Sequence, residues 1–142
     1  MRTVRQLLES KSAEVIAIAP DAPVIEAIKL MATHGIGALL VMDGTRLAGI
    51  LSERDYARKV VLAGRSSRET AVREIMTAEV KSVVPGDTCP HCMALMTEHR
   101  VRHLPVVEDG RVVGIVSIGD LVKAVIEQQQ RELDHLHSYI AG

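Results

Sequence analysis

The alternation of apolar and polar positions predicts a series of short elements in the first half of the chain. An apolar run at 15–18 has the length of a strand and ends at a proline-marked turn. After the turn, apolar residues recur with the i, i+3, i+4, i+7 spacing of a helix that buries one face. The positions of this stripe are Val24, Ala27, Ile28 and Met31. Apolar runs at 38–42 and 47–51 predict two further strands, and a last helix is expected to begin at Ser52.

The second half of the chain shows the same pattern. Apolar runs at 80–84, 104–107 and 112–116 predict strands, with a helix between the first two. The last two strands of each half are joined across Asp43-Gly44 and Asp109-Gly110, and Asp-Gly between apolar runs is typical of a β-hairpin. The predicted element order of each half is therefore strand, helix, strand, strand, helix, which predicts an α/β fold built from two repeats.

The two halves are also related residue by residue. A shift of 65 positions places residues 13–61 on 78–126 without a gap. Upstream, TVRQLL at 3–8 matches AVREIM at 71–76 at a shift of 68, so the first copy carries three extra residues near 9–11. A polar linker, GRSSRET, separates the copies. We therefore expect two domains, at 1–65 and 66–130, and a helical tail at 131–142.

Composition and charge narrow the possible functions. A chain of 142 residues suits one compact domain or two small halves that share a core. A net charge of −1 without a basic block argues against nucleic acid or an anionic membrane as a partner. Tyr56 and Tyr139 are the only aromatic residues, which is too few for a single-strand stacking platform. The chain shows no signal peptide and no apolar run near about 20 residues, so a cytoplasmic location is expected.

Two heptads carry a resemblance to a known family. The segments GILSERD at 49–55 and GIVSIGD at 114–120 each hold a glycine, two apolar residues, a serine, two variable residues and an aspartate. With the flanking segments 34–43 and 99–114, they resemble the cystathionine-beta-synthase (CBS) domain family, over about residues 3–127. The resemblance implies a tandem pair of CBS domains with pseudo-twofold symmetry. It also implies a stand-alone regulatory module without catalytic activity, which forms a homodimer and binds AMP, ADP, ATP, or sometimes NAD or S-adenosylmethionine, between its halves.

The Ser-x-x-Asp turns have two compatible interpretations. A serine that begins a helix, followed by an acid three residues later, is a capping box that satisfies free backbone N–H groups. A helix N-terminus also attracts phosphate, and an ionised carboxylate can accept two hydrogen bonds from ribose hydroxyls. The duplicated frame favours a binding role for Ser52, Asp55, Ser117 and Asp120 in addition to capping.

The resemblance assigns further residues to two pockets, each drawing on both copies. In one pocket, Ser52 and Arg54 would hold phosphate and Asp55 the ribose, with Lys81, Val101 and Arg102 lining the base and sugar. In the other, Ser117 and Asp120 would play the same parts, with Arg102 and His103 near phosphate and a base wall of Ile16, Ile36 and Gly37. Ser12 and Thr77 stand at the strand entries, where a polar side chain can reach the ligand. Gly119 replaces Arg54 in the second heptad, so the pockets are predicted to differ in ligand or affinity.

Other interpretations of the sequence stay open at this point. Cys89-Pro90-His91-Cys92 has the C-x-x-C motif of a thiol redox site, but the repeat places both cysteines on buried positions of the helix stripe. The scattered histidines do not predict a metal site. A structural or protein-interaction module without ligand is the main alternative to nucleotide sensing, and the downstream target is unknown. Apolar residues of the tail fit either the chain's own core or a self-association surface, and they include Val122, Val125, Ile126, Leu133, Leu136 and Ile140.

Overall fold

The structure is a computed structural model that describes residues 2–11 and 14–141. It divides into two compact units: one is Glu14–Lys81, and the other combines Met1–Ala13 with Ser82–Gly142. We call these the first unit and the second unit. The α-helices and strands in chain order are α1 (Val4–Ser10), β1 (Ala17–Ile18), α2 (Val24–His34), β2 (Ala38–Asp43), β3 (Arg46–Ser52), α3 (Glu53–Tyr56), α4 (Cys89–His99), β4 (His103–Glu108), β5 (Arg111–Ser117) and α5 (Ile118–Ala141). A π-helical segment (Ala57–Val61) continues α3, and a 3₁₀ turn spans Val72–Glu74.

The first unit holds a three-stranded sheet in the order β1-β2-β3. β1 pairs parallel with β2, and β2 pairs antiparallel with β3 in the hairpin that the Asp-Gly signal predicts. The predicted helix is α2, and its buried residues Val24, Ala27 and Met31 belong to the predicted stripe. The predicted strand at 15–18 is shorter than expected, since only Ala17 and Ile18 are in the ladder.

The second unit repeats the hairpin and the helix, but the strand predicted at 80–84 does not form. It is reduced to one parallel bridge, between Val83 and Val106. The neighbouring residue of β4 is Pro105, which has no N–H to donate to a ladder; its equivalent in the first unit is Leu40, which pairs with β1. Pro105 still accepts a bond from the Val83 N–H at 3.0 Å. The sheet therefore has two strands, β4 and β5.

The segment that precedes each copy in sequence packs on the other copy. The N–H groups of Val4 and Arg5, in α1, donate to the carbonyls of Asp87 and Pro85 in the second unit, both at 2.9 Å. The matching residues Val72 and Arg73, in a short 3₁₀ turn, donate in the same way to Ala22 and Pro20 of the first unit. The compact units are therefore not the sequence repeats, and the predicted boundaries at 1–65, 66–130 and 131–142 stay a prediction about the repeats.

Each unit has its own hydrophobic core. Fully buried in the first unit are Leu39, Val41 and Leu51 of the sheet, together with Val72 from the 3₁₀ turn. The core of the second unit has the same plan, with α1 in place of that turn; its buried members are Val4, Leu7, Val83, Cys89, Cys92, Met96, Leu104, Val106, Val116, Leu121 and Ala124. Burying apolar surface in this way is the main stabilising contribution to folding.

The predicted linker is ordered by bonds to the start of α2. Pro23 stands at the N-cap and provides no capping side chain. Backbone carbonyls of the linker take over this role: the N–H of Val24 donates to Thr70 at 2.8 Å, and the N–H of Ile25 donates to Ser67 at 3.0 Å. Thr70 is buried as a result, and the polar segment is part of the first unit rather than a free tether.

Candidate functional site

Ser52 and Asp55 form a reciprocal capping box at the end of β3. The Asp55 N–H donates to Ser52 Oγ at 3.1 Å, while Asp55 Oδ2 accepts from the Ser52 N–H at 3.0 Å and from its hydroxyl at 3.1 Å. The first N–H of α3, on Glu53, donates to the Gly37 carbonyl at 3.0 Å. Lys59 Nζ lies 3.3 Å from Asp55 Oδ1. The capping interpretation is therefore correct, and it occupies mainly one oxygen of the carboxylate.

The second unit repeats this arrangement at Ser117 and Asp120. The Ser117 N–H donates to Asp120 Oδ2 at 2.8 Å, and the Asp120 N–H donates to Ser117 Oγ at 3.1 Å. The N–H of Ile118, the first residue of α5, donates to the Arg102 carbonyl at 2.8 Å, as Glu53 does to Gly37. His103 is the strand partner of Ser117. The same local bonds thus recur at both turns.

Lys11 distinguishes the second turn from the first. Its ammonium donates to Asp120 Oδ2 at 2.8 Å and to the Ile115 carbonyl at 3.0 Å. Partial burial raises the pKa of Asp120, but the bonds from Lys11 and from the Ser117 N–H outweigh it, and the pKa lies below its ordinary value. Sequence reasoning did not assign Lys11 to the site. The signal was present, because Lys11 belongs to the three extra residues of the first copy.

The pKa of His103, beside this turn, lies below its ordinary value. Burial is the main cause that lowers its pKa, and the charges of Lys11 and Arg102 act in the same direction; the Asp120 carboxylate opposes them. A neutral imidazole can donate from one nitrogen and accept at the other. In the neutral form that a lowered pKa favours, His103 can exchange a hydrogen bond with a polar ligand group, and its predicted place near phosphate stays a prediction.

A small cavity of about 200 Å³ opens beside Asp120 and Lys11 within the second unit. Its polar lining also includes Arg2, Lys123 and Glu127, and Arg2 is paired with Glu127 at 2.9 Å. A cavity of this size is below the about 300–1,000 Å³ of sites that enclose a drug-sized ligand. It can accept a group the size of a phosphate or a few waters.

The structure brings most of the predicted residues of each unit to one end of its sheet. In the first unit, Ile16 precedes β1, Ile36 and Gly37 precede β2, and Ser52 ends β3; since β1 and β2 are parallel and β3 is antiparallel to β2, these ends coincide. Arg54 is exposed on the first turn of α3.

Thr77 lies beside β3. It exchanges two backbone hydrogen bonds with Ile50, at 2.9 and 3.0 Å. Lys81 is exposed, and no hydrogen bond or ion pair ties it to the Ser52 turn within 14–81. In the second unit, Val101, Arg102 and His103 precede or begin β4, next to Ser117.

Ser12 lies outside the described residues. The predicted grouping of residues from both copies into each pocket stays a prediction.

The cysteines are core residues. Cys89 and Cys92 are free thiols, 3% and 0% exposed, in the core of the second unit. Burial is the main cause that raises the pKa of both thiols; the nearby carboxylate of Asp87 also acts on Cys92, whose pKa is about 11. Since the thiolate is the reactive form, this environment disfavours redox chemistry at the pair.

No group of three or more His, Cys, Asp and Glu residues suited to a metal ion occurs within the described part of the chain. Among the described helices, none is both long enough and apolar enough to cross a bilayer.

Comparison with known proteins agrees with this architecture. The family model of the CBS domain matches residues 4–62 and 72–127, so the chain belongs to the CBS domain family. A mitochondrial CBS domain-containing protein of Arabidopsis thaliana, CBSX3, is 46% identical over 127 residues, covering 86% of this chain and 62% of the plant protein. The match thus spans under two thirds of that relative. The predicted tandem of CBS domains with an α/β fold is confirmed.

Solved structures give the same result. A putative signal-transduction protein with CBS domains from Burkholderia ambifaria superposes with a TM-score of 0.87 at 56% identity, covering 90% of this chain and 96% of the other. The CBS domain pair of protein MJ0100 superposes with a TM-score of 0.78 at 27% identity, covering 90% and 98%. That structure is a complex with 5′-methylthioadenosine and S-adenosyl-L-methionine. The chain is therefore a CBS domain pair of the regulatory and signalling class.

Proposed function

We propose that the chain is a regulatory sensor that binds adenosine-containing ligands at its two Ser-x-x-Asp turns and has no catalytic activity of its own. The expected ligands are AMP, ADP, ATP and NAD. The observation that carries the proposal is the repetition of one turn with one set of bonds in both units, around Asp55 and Asp120. The adenosyl ligands of MJ0100, a relative of the same fold, support the ligand class.

The chemistry of the turn fits a nucleoside phosphate. Each aspartate uses Oδ2 for the cap, which leaves Oδ1 directed to other groups; at Asp55 that atom has a lysine 3.3 Å away. An ionised carboxylate that only accepts hydrogen bonds is suited to a ribose diol. The N-terminus of the following helix carries partial positive charge, and Arg54 adds a full charge at the first turn, which favours phosphate there.

The two turns are not chemically equal, and we expect two unequal sites. In the second unit Lys11 already pairs with Asp120, and Gly119 stands where the first turn has Arg54. A ligand at the second turn must share the Asp120 carboxylate with Lys11 or displace Lys11 from it. A ligand at the first turn meets Arg54 and Lys59. Affinities or ligand preferences should therefore differ between the sites.

The remaining parts of the proposal come from the sequence. A cytoplasmic location and a homodimer are proposed, while the relative CBSX3 is described as mitochondrial. The downstream target is a protein or a second copy of the chain that responds to the bound ligand.

Thermal unfolding with each nucleotide tests the proposal, because a ligand that binds only the folded state raises stability. Asp55→Asn and Asp120→Asn keep one oxygen to accept from the serine N–H, so the cap survives while the negative charge is lost. Since hydrogen bonds to charged groups contribute about 1.5–3 kcal/mol, each substitution should weaken its own site about 10- to 100-fold in calorimetric titration. Asp43→Asn, an exposed hairpin position, is the control and should leave both affinities unchanged.

If no adenosine ligand stabilises the protein, the proposal fails and a structural or interaction module without ligand replaces it. Equal binding by wild type and both aspartate variants would place the ligand elsewhere. Two identical, independent sites would remove the predicted inequality of the turns.

A further inference from the structure

The last part of α5 is exposed on every side. All residues from 129 to 141 are exposed, and this segment spans about 20 Å at 1.5 Å per residue. Side-chain bonds along the helix join Gln128 to Glu132 and Gln130 to Asp134, at 3.3 and 2.9 Å. A helical segment of this length is only marginally stable in water without tertiary contacts. We therefore expect contacts with a partner surface to stabilise this part of α5.

The side of α5 that packs on its own unit is not its most apolar side. Leu121 and Ala124 are buried in the core of the second unit. Five of the six residues of the predicted apolar stripe lie on a different face and are 43–73% exposed: Val122, Ile126, Leu133, Leu136 and Ile140. Val125 is partly buried. The interpretation of the stripe as core is therefore wrong for these five residues.

The exposed residues follow a heptad pattern. Together with Gln129 they are spaced by four and three residues alternately, as the core positions of a coiled coil are. In heptad notation, the a positions are Ile126, Leu133 and Ile140, and the d positions are Val122, Gln129 and Leu136. We call this set the α5 seam. Two of the three a positions are isoleucine and one d position is leucine, the combination that favours two strands in parallel coiled coils.

We propose that the α5 seam pairs, parallel and in register, with the α5 seam of a second copy of this chain. The polar residue inside the seam, Gln129, indicates both this partner and its parallel orientation. In a parallel pair each d position faces its own counterpart, so the two Gln129 amides meet and one donates to the other. In any antiparallel pair a faces d, and Gln129 would lie against an apolar side chain without a hydrogen-bond partner, which is costly.

A polar pair beside the seam fits the same register. In parallel coiled coils a g residue faces the e residue five positions later on the other helix. Glu132 is at g and His137 is at e, so each carboxylate faces an imidazole of the second copy. Arg131 and Ser138, at the f positions, point away from the seam and are exposed.

Disulfide trapping in the full-length protein tests this pairing. Leu136→Cys places two thiols opposite each other only in the parallel register, and mild oxidation with diamide should link most chains. Ser138→Cys, the outward-facing control, should link less than about a tenth as much. Wild type measures the background from Cys89 and Cys92, which are buried. If Leu136→Cys links no better than Ser138→Cys, the parallel register is refuted.

Sedimentation equilibrium provides the second measurement. Wild type should show a monomer–dimer equilibrium, and Leu133→Asp should weaken it at least about 100-fold. The melting temperature of the Leu133→Asp monomer should be nearly that of monomeric wild type, because Leu133 is 49% exposed. Gln129→Leu should tighten association, since a buried polar residue specifies register at a cost in stability. A wild type that stays monomeric, or a Leu133→Asp variant that still dimerises, would overturn the proposal.

Discussion

Gly49 and Gly114 occupy the same place in the two motifs, yet the structure predicts unequal costs for replacing them with alanine. A Cβ built on Gly49 lies 2.7 Å from the Thr77 carbonyl oxygen and 2.8 Å from Met76 Sδ. A Cβ built on Gly114 lies 2.7 Å from Leu8 Cδ2, at the end of a side chain. All three distances are shorter than an ordinary contact, so a neighbour must move in each case.

The expected loss of stability at each glycine depends on whether the neighbouring atoms can move away from the added methyl group. The Thr77 carbonyl accepts from the Ile50 N–H at 3.0 Å, and the Thr77 N–H donates back at 2.9 Å. Overpacking costs about 1–3 kcal/mol, and weakening these two hydrogen bonds adds about 1 kcal/mol. Gly49→Ala should therefore lower the free energy of unfolding by about 2–4 kcal/mol. The Leu8 side chain can rotate away, so Gly114→Ala should cost less than about 1 kcal/mol.

Urea unfolding of both variants measures the difference, and amide hydrogen exchange at Ile50 and Thr77 shows whether the bridge opens. The double variant Leu8→Ala/Gly114→Ala is the internal control, since removing Leu8 should remove any penalty of the added methyl. Equal destabilisation by Gly49→Ala and Gly114→Ala, or a larger effect at Gly114, would refute the distinction between a fixed carbonyl and a movable side chain.

Three further predictions concern the second unit. With Cys89 and Cys92 buried and their pKa values raised, an aromatic disulfide reagent at pH 8 should modify them in the native protein at least about 100-fold more slowly than in urea; two fast-reacting thiols would restore the redox alternative. Lys11→Met should cost about 1–2 kcal/mol at neutral pH, because the pair is about one third exposed. Since the folded pKa of Asp120 is lowered, the ion-pair part of that contribution is complete above about pH 4 and is lost as the pH falls through the folded pKa, so the difference between the two proteins' unfolding curves should narrow in acid. Arg100 has φ 54° at the end of α4, where the first unit has glycine, and Arg100→Gly should stabilise by about 0.5–1 kcal/mol in the same assay.

The features that sequence reasoning predicted correctly depend on local chemistry. The hairpins follow from Asp-Gly turns, α2 from its apolar spacing, and the capping boxes from a serine and an aspartate three residues apart. These patterns involve neighbours in sequence, and the duplication allows each to be checked twice. The family, the fold class and the position of the candidate turns could therefore be predicted.

The features that were missed depend on distant parts of the chain. The strand at 80–84 is reduced to one bridge because Pro105, more than 20 residues away, cannot donate. Lys11 reaches Asp120 across 109 positions, and no periodicity predicts that contact. The core-facing side of α5 is set by Leu121 and Ala124, although its apolar residues are concentrated on another face. Tertiary packing decides each of these.

The placement of α1 bears on how such a chain arose. Its bonds to Asp87 and Pro85 are those that Val72 and Arg73 make with Ala22 and Pro20, so each repeat lends its leading segment to the other. An ancestor with a single repeat could satisfy this arrangement only by exchanging that segment with another molecule, as a swapped dimer. Fusion of two genes would then turn an association that depended on concentration into an intramolecular one. Residues 14–81 are contiguous and include the leading segment that packs on the first copy, so they are the better choice for isolating half of this protein.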